Sequence, residues 1–191
     1  MSKATSCKEA IKNWEAKNNT IGMEAKEISL ICQIPAIDKM DESLNTLDTC
    51  EKLSLATNEI ERIITLKLRS IKILSLGRNH IKKIQGLDDI GGTLEQLWLN
   101  YNQIERLDGL KNCTKLHTLF ISNNRIKVWD EVAKLAQLPE LKNALMLNNP
   151  FYNDAPFEEV APLIIKRVPQ LEMIDSRMIS SQIRKAAEEL R

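Results

Sequence analysis

The chain of 191 residues is poor in the side chains that mark most chemical sites. It has two histidines, His80 and His117, and four cysteines, Cys7, Cys32, Cys50 and Cys113, with no CxxC pair among them. A zinc site needs Cys, His or carboxylate ligands at close spacing. A disulfide framework needs a denser cysteine pattern. No metal and no disulfide is therefore expected, and the two histidines read as surface residues. There is no glycine-rich phosphate loop, no dinucleotide fingerprint and no GxSxG nucleophile elbow. Gly91-Gly92 reads as an insertion in a repeat, and Asp88-Asp89 are paired carboxylates in sequence only. No cofactor and no enzymatic activity are expected. An excess of one charge is missing too, since 27 Lys and Arg stand against 26 Asp and Glu. That balance gives no electrostatic case for a nucleic-acid or membrane partner. No apolar run approaches the roughly 18 residues of a membrane helix, and Met1 to Cys7 lacks the apolar stretch of a signal peptide. The expected compartment is the cytoplasm.

What the chain does have is a repeat. Leu53-Ser-Leu-Ala-Thr-Asn58-Glu-Ile60, Leu74-Ser-Leu-Gly-Arg-Asn79-His-Ile81, Leu97-Trp-Leu-Asn-Tyr-Asn102-Gln-Ile104 and Leu119-Phe-Ile-Ser-Asn-Asn124-Arg-Ile126 share one pattern, and Ala144-Leu-Met-Leu-Asn-Asn149-Pro-Phe151 is a weaker fifth copy. The asparagines are 21, 23, 22 and 25 residues apart. In Leu-x-Leu the period is two, so both leucines face one side of a short strand. Stacking successive strands in parallel joins these faces into one core, which no single repeat could bury alone. Each asparagine falls where the chain leaves the strand, and its amide can both donate and accept. Stacked copies should form a ladder of Asn58, Asn79, Asn102, Asn124 and Asn149 that pairs the turn's buried backbone groups. Later apolar positions, such as Ile81, Ile84, Leu87 and Ile90, fill the other side of the core, and Cys50 and Cys113 occupy leucine slots. Trp129, Val132, Leu135 and Leu138, at spacings of three, predict a helical or 3-10 segment that Pro139 ends. The expected fold is α/β: a leucine-rich-repeat solenoid of about five to six 22-residue repeats with short parallel strands, capped by helices at both ends.

A solenoid must cover its terminal core faces. Residues 1–47 read as an N-terminal cap. Ser6-Cys-Lys-Glu9 is a capping box, Cys7, Ala10, Ile11 and Trp14 form one helix face, and Ile28-Ser-Leu30 is an irregular first strand. Ile34, Ile37, Met40, Leu44 and Leu47 then lead into the first good repeat. Residues 150–175 read as the C-terminal cap. There Pro156 opens a helix whose face is Phe157, Val160, Ala161, Ile164 and Val168, with Pro162 as an awkward interior residue. The repeat domain thus spans 1–175 and a last helix lies within 176–191. Its stripe is Ile179, Ile183, Ala186 and Leu190, with Arg184, Lys185, Glu188, Glu189 and Arg191 around it. That helix can pack on the cap or project from it.

The middle residue of each Leu-x-Leu points onto the exposed sheet face. In order these are Ser54, Ser75, Trp98, Phe120 and Leu145, with Tyr101 and Leu147 just beyond on the same side. Three of the chain's eight aromatic residues therefore gather on one outward face. Apolar patches of this kind mark interaction sites, and Trp and Tyr are enriched among residues that dominate binding energy. Arg78, Lys52, Ile73, Asn100, His117 and Ser122 form the expected rim. The alternative is that the aromatics only brace the sheet across strands.

The chain resembles the leucine-rich-repeat light chains of outer-arm axonemal dynein. The resemblance is carried by Ile34-Pro-Ala-Ile-Asp-Lys-Met40, Leu74-Ser-Leu-Gly-Arg-Asn79, Thr93-Leu-Glu-Gln-Leu-Trp98, Tyr101-Asn102, Ser122-Asn-Asn124, Asn149-Pro-Phe-Tyr-Asn-Asp154 and Lys166-Arg-Val-Pro-Gln-Leu171. It implies a non-catalytic subunit of the cilium or flagellum that binds a dynein heavy chain, at its microtubule-binding stalk region, through the sheet face. Trp98, Tyr101 and Phe120 match aromatic positions of that face. The resemblance also implies a terminal helix that reaches toward the motor or tubulin, for which Arg184 and Lys185 are the basic candidates; beside Glu188 and Glu189, the alternative is a solvated helix face. A phosphatase regulator or a splicing scaffold built on the same repeat is the alternative.

Overall fold

The computed structural model describes residues 3–190, and Arg191, counted above with the last helix, lies outside them. One helix, α1 (Cys7–Asn18), precedes the strands β1 (Glu27–Ser29), β2 (Lys52–Ser54), β3 (Ile73–Ser75), β4 (Gln96–Trp98), β5 (Thr118–Phe120), β6 (Asn143–Leu145) and β7 (Met173–Ile174). These pair in sequence order and in parallel, and β8 (Arg177–Met178) folds back antiparallel on β7 to end the sheet. The convex side is built of 3-10 turns and α2 (Trp129–Ala133), which runs on into a 3-10 turn at Lys134–Gln137. The period-two leucines do what their spacing demands. Leu53, Leu74, Leu97 and Leu119 are fully buried at the strand centres, and Leu55, Leu76, Leu99 and Ile121 are buried two residues on.

The asparagines hold the turn. Asn102 is representative: its Nδ2 donates to Leu76 O (3.0 Å) and Leu99 O (3.1 Å), and its Oδ1 accepts from Ile81 N (3.0 Å). Asn58, Asn79, Asn124 and Asn149 repeat the arrangement, and all five are buried. The residue before each ladder asparagine turns left-handed, with φ of 57°, 54°, 58°, 55° and 59° at Thr57, Arg78, Tyr101, Asn123 and Asn148. A left-handed non-glycine residue costs roughly 1–2 kcal/mol, so the turn is held by the bonds that the asparagine makes on either side of it. Behind the sheet, successive units approach so closely that glycine is required. A Cβ on Gly109 would sit 1.9 Å from Ile84 O, and one on Gly86, at φ +71°, would sit 2.1 Å from Ile64 O.

The N-terminal cap begins with Ser6, whose Oγ accepts from Glu9 N, while the carboxylate of Asp41 accepts from Cys7 N at 2.9 Å. Cys7, Ala10 and Ile11 are buried and Trp14 is half-buried. Ile34 departs from expectation. It is 92% exposed, because the strand-exit turn at Cys32 (φ 51°) carries the chain over the rim before Ile37 re-enters the core.

At the other end, α3 (Phe157–Arg167) is continuous through the buried Pro162. The carbonyl that Pro162 cannot bond is that of Glu158, an exposed first-turn residue that water can serve. Pro156 stands one position before the helix, at its cap. The last helix, α4 (Ser181–Glu189), packs on α3 rather than projecting. Its buried residue is Ala187, not Ala186, and Ile183 and Leu190 are half-buried. Lys166 Nζ donates to Leu190 O at 2.7 Å, which fastens its end. Asp175 takes over where the asparagines stop. One of its oxygens accepts from Met146 N (2.6 Å) and Leu147 N (2.9 Å), and the other accepts from the Tyr152 hydroxyl. Burial, and then the neighbouring Asp175 carboxylate, push the Tyr152 hydroxyl well above its ordinary pKa.

Candidate protein-binding face

Parallel register decides which outward residues become neighbours. Ser29, Ser54, Ser75, Trp98, Phe120 and Leu145 stand in one row across the sheet, each opposite the next. Glu27, Lys52, Ile73, Gln96, Thr118 and Asn143 make the second row. The first row changes character at its middle, from small hydroxyls to large apolar groups. Trp98 and Phe120 stack with centroids 5.7 Å apart and planes 23° from parallel. Both rings, like Leu145, remain partly open to solvent. Tyr101 and Leu147 are exposed beside them, at 47% and 40%. Arg78 lies over the Tyr101 ring, 4.3 Å from its centroid, which holds two long exposed side chains in one orientation.

The serines correct the expectation of an evenly exposed face. Ser54 and Ser75 are each only 8% exposed, because their short side chains sit below larger neighbours. They floor a depression of about 470 Å³ walled by Trp98 at one end and by Trp14 and Ile31 at the other. Trp14 and Ile31 both lie within the 1–47 cap. Nothing in the period of α1 signals that its rim overlooks the sheet.

The expected rim residues divide. Ile73 and Asn100 are half-buried and His117 is exposed, with its Nδ1 3.1 Å from Thr118 Oγ1. Lys52 pairs with Glu27 at 3.3 Å. Ser122 is not an open rim residue: it is buried, and both its N–H (3.0 Å) and its hydroxyl (3.1 Å) donate to Asn100 Oδ1. Asn100 is committed by the same bonds, so this pair stiffens the rim. Arg184 is also spent internally. Its guanidinium donates to Pro169 O (3.1 Å) and Leu171 O (2.7 Å), fastening α4 to the cap, whereas Lys185 is exposed with Glu189 3.9 Å away.

One polar group on the face is unmet. The indole N–H of Trp98 is buried and has no acceptor among the described residues. A buried donor without a partner costs about 1–3 kcal/mol, and the stacked, half-buried ring carries that cost in the free chain.

Among the described residues no group of three or more His, Cys, Asp and Glu is placed to hold a metal ion, and no helix is long and apolar enough to cross a membrane. Burial pushes the thiols of Cys7, Cys50 and Cys113 up to about 11, and Cys32 is exposed.

Known proteins agree with this architecture. The family model for leucine-rich repeats in two copies matches residues 93–133. Among solved structures, the Drosophila melanogaster SNF/U2A' complex aligns at a TM-score of 0.54 and 21% identity, over 85% of this chain and 79% of that one. An internalin C2 of Listeria monocytogenes aligns at 0.55 and 18%, over 91% and 87%. At such identities these two share the fold. Sequence relatives are much nearer. Dynein axonemal light chain 1 of Bos taurus is 49% identical over 177 residues, covering 92% of this chain and 93% of its own, and that of Chlamydomonas reinhardtii is 41% identical over 192 residues, covering 98% and 97%. At that identity, carried across both caps as well as the repeats, the chain belongs to the dynein axonemal light chain 1 family.

Proposed function

We propose that this protein is a non-catalytic subunit of an axonemal outer-arm dynein, that it binds a dynein heavy chain through the sheet face bearing Trp98 and Phe120, and that it regulates the motor from there. The relatives' shared name supports the dynein role. The observation that carries the choice of face is the stacked Trp98–Phe120 pair, bordered by exposed Tyr101 and Leu147, on a rigid surface. Rings held by cross-strand neighbours have less freedom to lose on docking, which lowers the ordering cost of binding.

The heavy-chain region proposed is the stalk that carries the microtubule-binding domain. A light chain seated there lies beside the track and can alter how the motor engages it. Direct contact with tubulin is a further part of the proposal. Of the two basic candidates Arg184 and Lys185, Lys185 is the one open to it, since Arg184 is occupied.

The test is affinity capture from ciliated cells with the wild-type chain and with a Trp98→Ala, Phe120→Ala variant. Dynein heavy chain recovered by the first and lost by the second supports the reading. Equal recovery by both removes the face from the account. Recovery of phosphatase or splicing proteins in place of dynein overturns the assignment.

A further inference from the structure

A second surface lies behind the sheet, among the segments that follow the ladder asparagines of three consecutive repeats. There Lys82, Lys83, Arg106 and Arg125 surround a depression of about 430 Å³ whose floor is made by Ile84 and Gly109. At its floor Gly109 lies directly against the Ile84 carbonyl, with no room there for a side chain. Lys82, Lys83 and Arg125 are exposed, and no carboxylate lies within 4.0 Å of them among the described residues. At the edge of the hollow, Asp108 is held by Arg106 Nε at 2.8 Å and by Lys134 Nζ at 2.6 Å. Those partners, Lys134 first, keep its carboxyl below the usual carboxylate range. The one other acid in the lining, Glu105, leaves the cations in excess.

We propose that this basic hollow is a docking site for an acidic, extended peptide segment of a partner protein, separate from the aromatic sheet face. Successive carboxylates would pair with Lys82, Lys83 and Arg125, while the backbone lies over Ile84 and the lysine stems. Peptide carboxylates fit better than nucleic acid. Single-stranded nucleic acid is held by stacking of bases on aromatic rings as well as by cations, and this hollow has no aromatic residue in its lining. The site does not depend on the proposed sheet-face function, because it shares no residue with that face.

The experiment is fluorescence anisotropy of a short fluorescein-labelled glutamate-rich peptide titrated with the full chain. Binding should weaken as salt is raised, since exposed ion pairs are screened. The Lys82→Glu, Lys83→Glu, Arg125→Glu variant should bind at least about tenfold more weakly, equivalent to about 1.4 kcal/mol. The neutral Lys82→Gln, Lys83→Gln, Arg125→Gln variant should fall between it and wild type. A control with the same change of net charge, Lys8→Glu, Lys12→Glu, Lys17→Glu on the exposed side of α1, should keep near-wild-type affinity, as should Trp98→Ala, Phe120→Ala. Equal losses in the α1 control and the hollow variants, absence of binding, or tighter binding of a labelled single-stranded oligonucleotide than of the peptide would each overturn the proposal.

Discussion

Replacing Asn102 with alanine is the most direct perturbation of the ladder, and its cost follows from which backbone groups keep a second partner. Leu76 O accepts from Asn102 and also from Asn79, and Leu99 O accepts from Asn102 and also from Asn124. Both carbonyls therefore retain one bond. Ile81 N–H, by contrast, has the Asn102 side chain as its acceptor and would be left buried and unpaired. The orphaned donor alone costs about 1–3 kcal/mol, which for a chain of this length lowers the melting temperature by several degrees at about 2–4 °C per kcal/mol. Asn149→Ala removes more. Its Nδ2 is the side-chain donor to Met146 O, so that carbonyl is orphaned together with Ile126 N–H. Urea unfolding followed by far-ultraviolet circular dichroism would measure both variants. Both should be destabilised, with Asn149→Ala the larger loss. An Asn102→Ala protein within 0.3 kcal/mol or so of wild type, below the lower end of an orphan's cost, would refute this.

Two further outcomes follow from titratable side chains. Alkylation with iodoacetamide near neutral pH should label Cys32 and spare Cys7, Cys50 and Cys113, whose buried thiols hold their protons up to about 11; mass spectrometry of the digest reads this directly. Tyr152 is protonated in the fold and ionises near its ordinary value of about 10 once unfolded. The folded state therefore binds the extra proton above that pH, and stability should fall there by up to about 1.4 kcal/mol per pH unit for this one group. Tyr152→Phe should show a shallower alkaline decline in melting temperature, and an identical slope in both proteins would count against a buried Tyr152 hydroxyl held above its ordinary pKa.

The solenoid was legible because its rule is local and repeated. Leu-x-Leu sets the inward face, the asparagine sets the exit turn, and five copies set the stack. The sheet face followed from the same period, which put Trp98 and Phe120 on the same side of adjacent strands. What the period could not give was depth and commitment. Ser54 and Ser75 share the outward row with Trp98, yet short side chains beside tall ones become a floor. Ser122 and Asn100 looked like open polar residues, and they bond to each other across repeats. Arg184 stands on an exposed-looking helix side, and its two acceptors are cap carbonyls 15 and 13 residues earlier. The Asp175–Tyr152 pair was equally hidden, because the residue that ends an asparagine ladder need not be an asparagine. Contacts between caps and repeats carry no periodic signal, so each had to be seen in three dimensions.

In the proposed function the stacked aromatics are the source of heavy-chain affinity. Titration calorimetry of the purified chain against the heavy-chain stalk segment, comparing wild type with Trp98→Ala and Phe120→Ala, measures it most directly. Each truncation should cost about 2 kcal/mol or more of binding free energy, with thermal stability nearly unchanged. Wild-type affinity in both folded variants would contradict the claim.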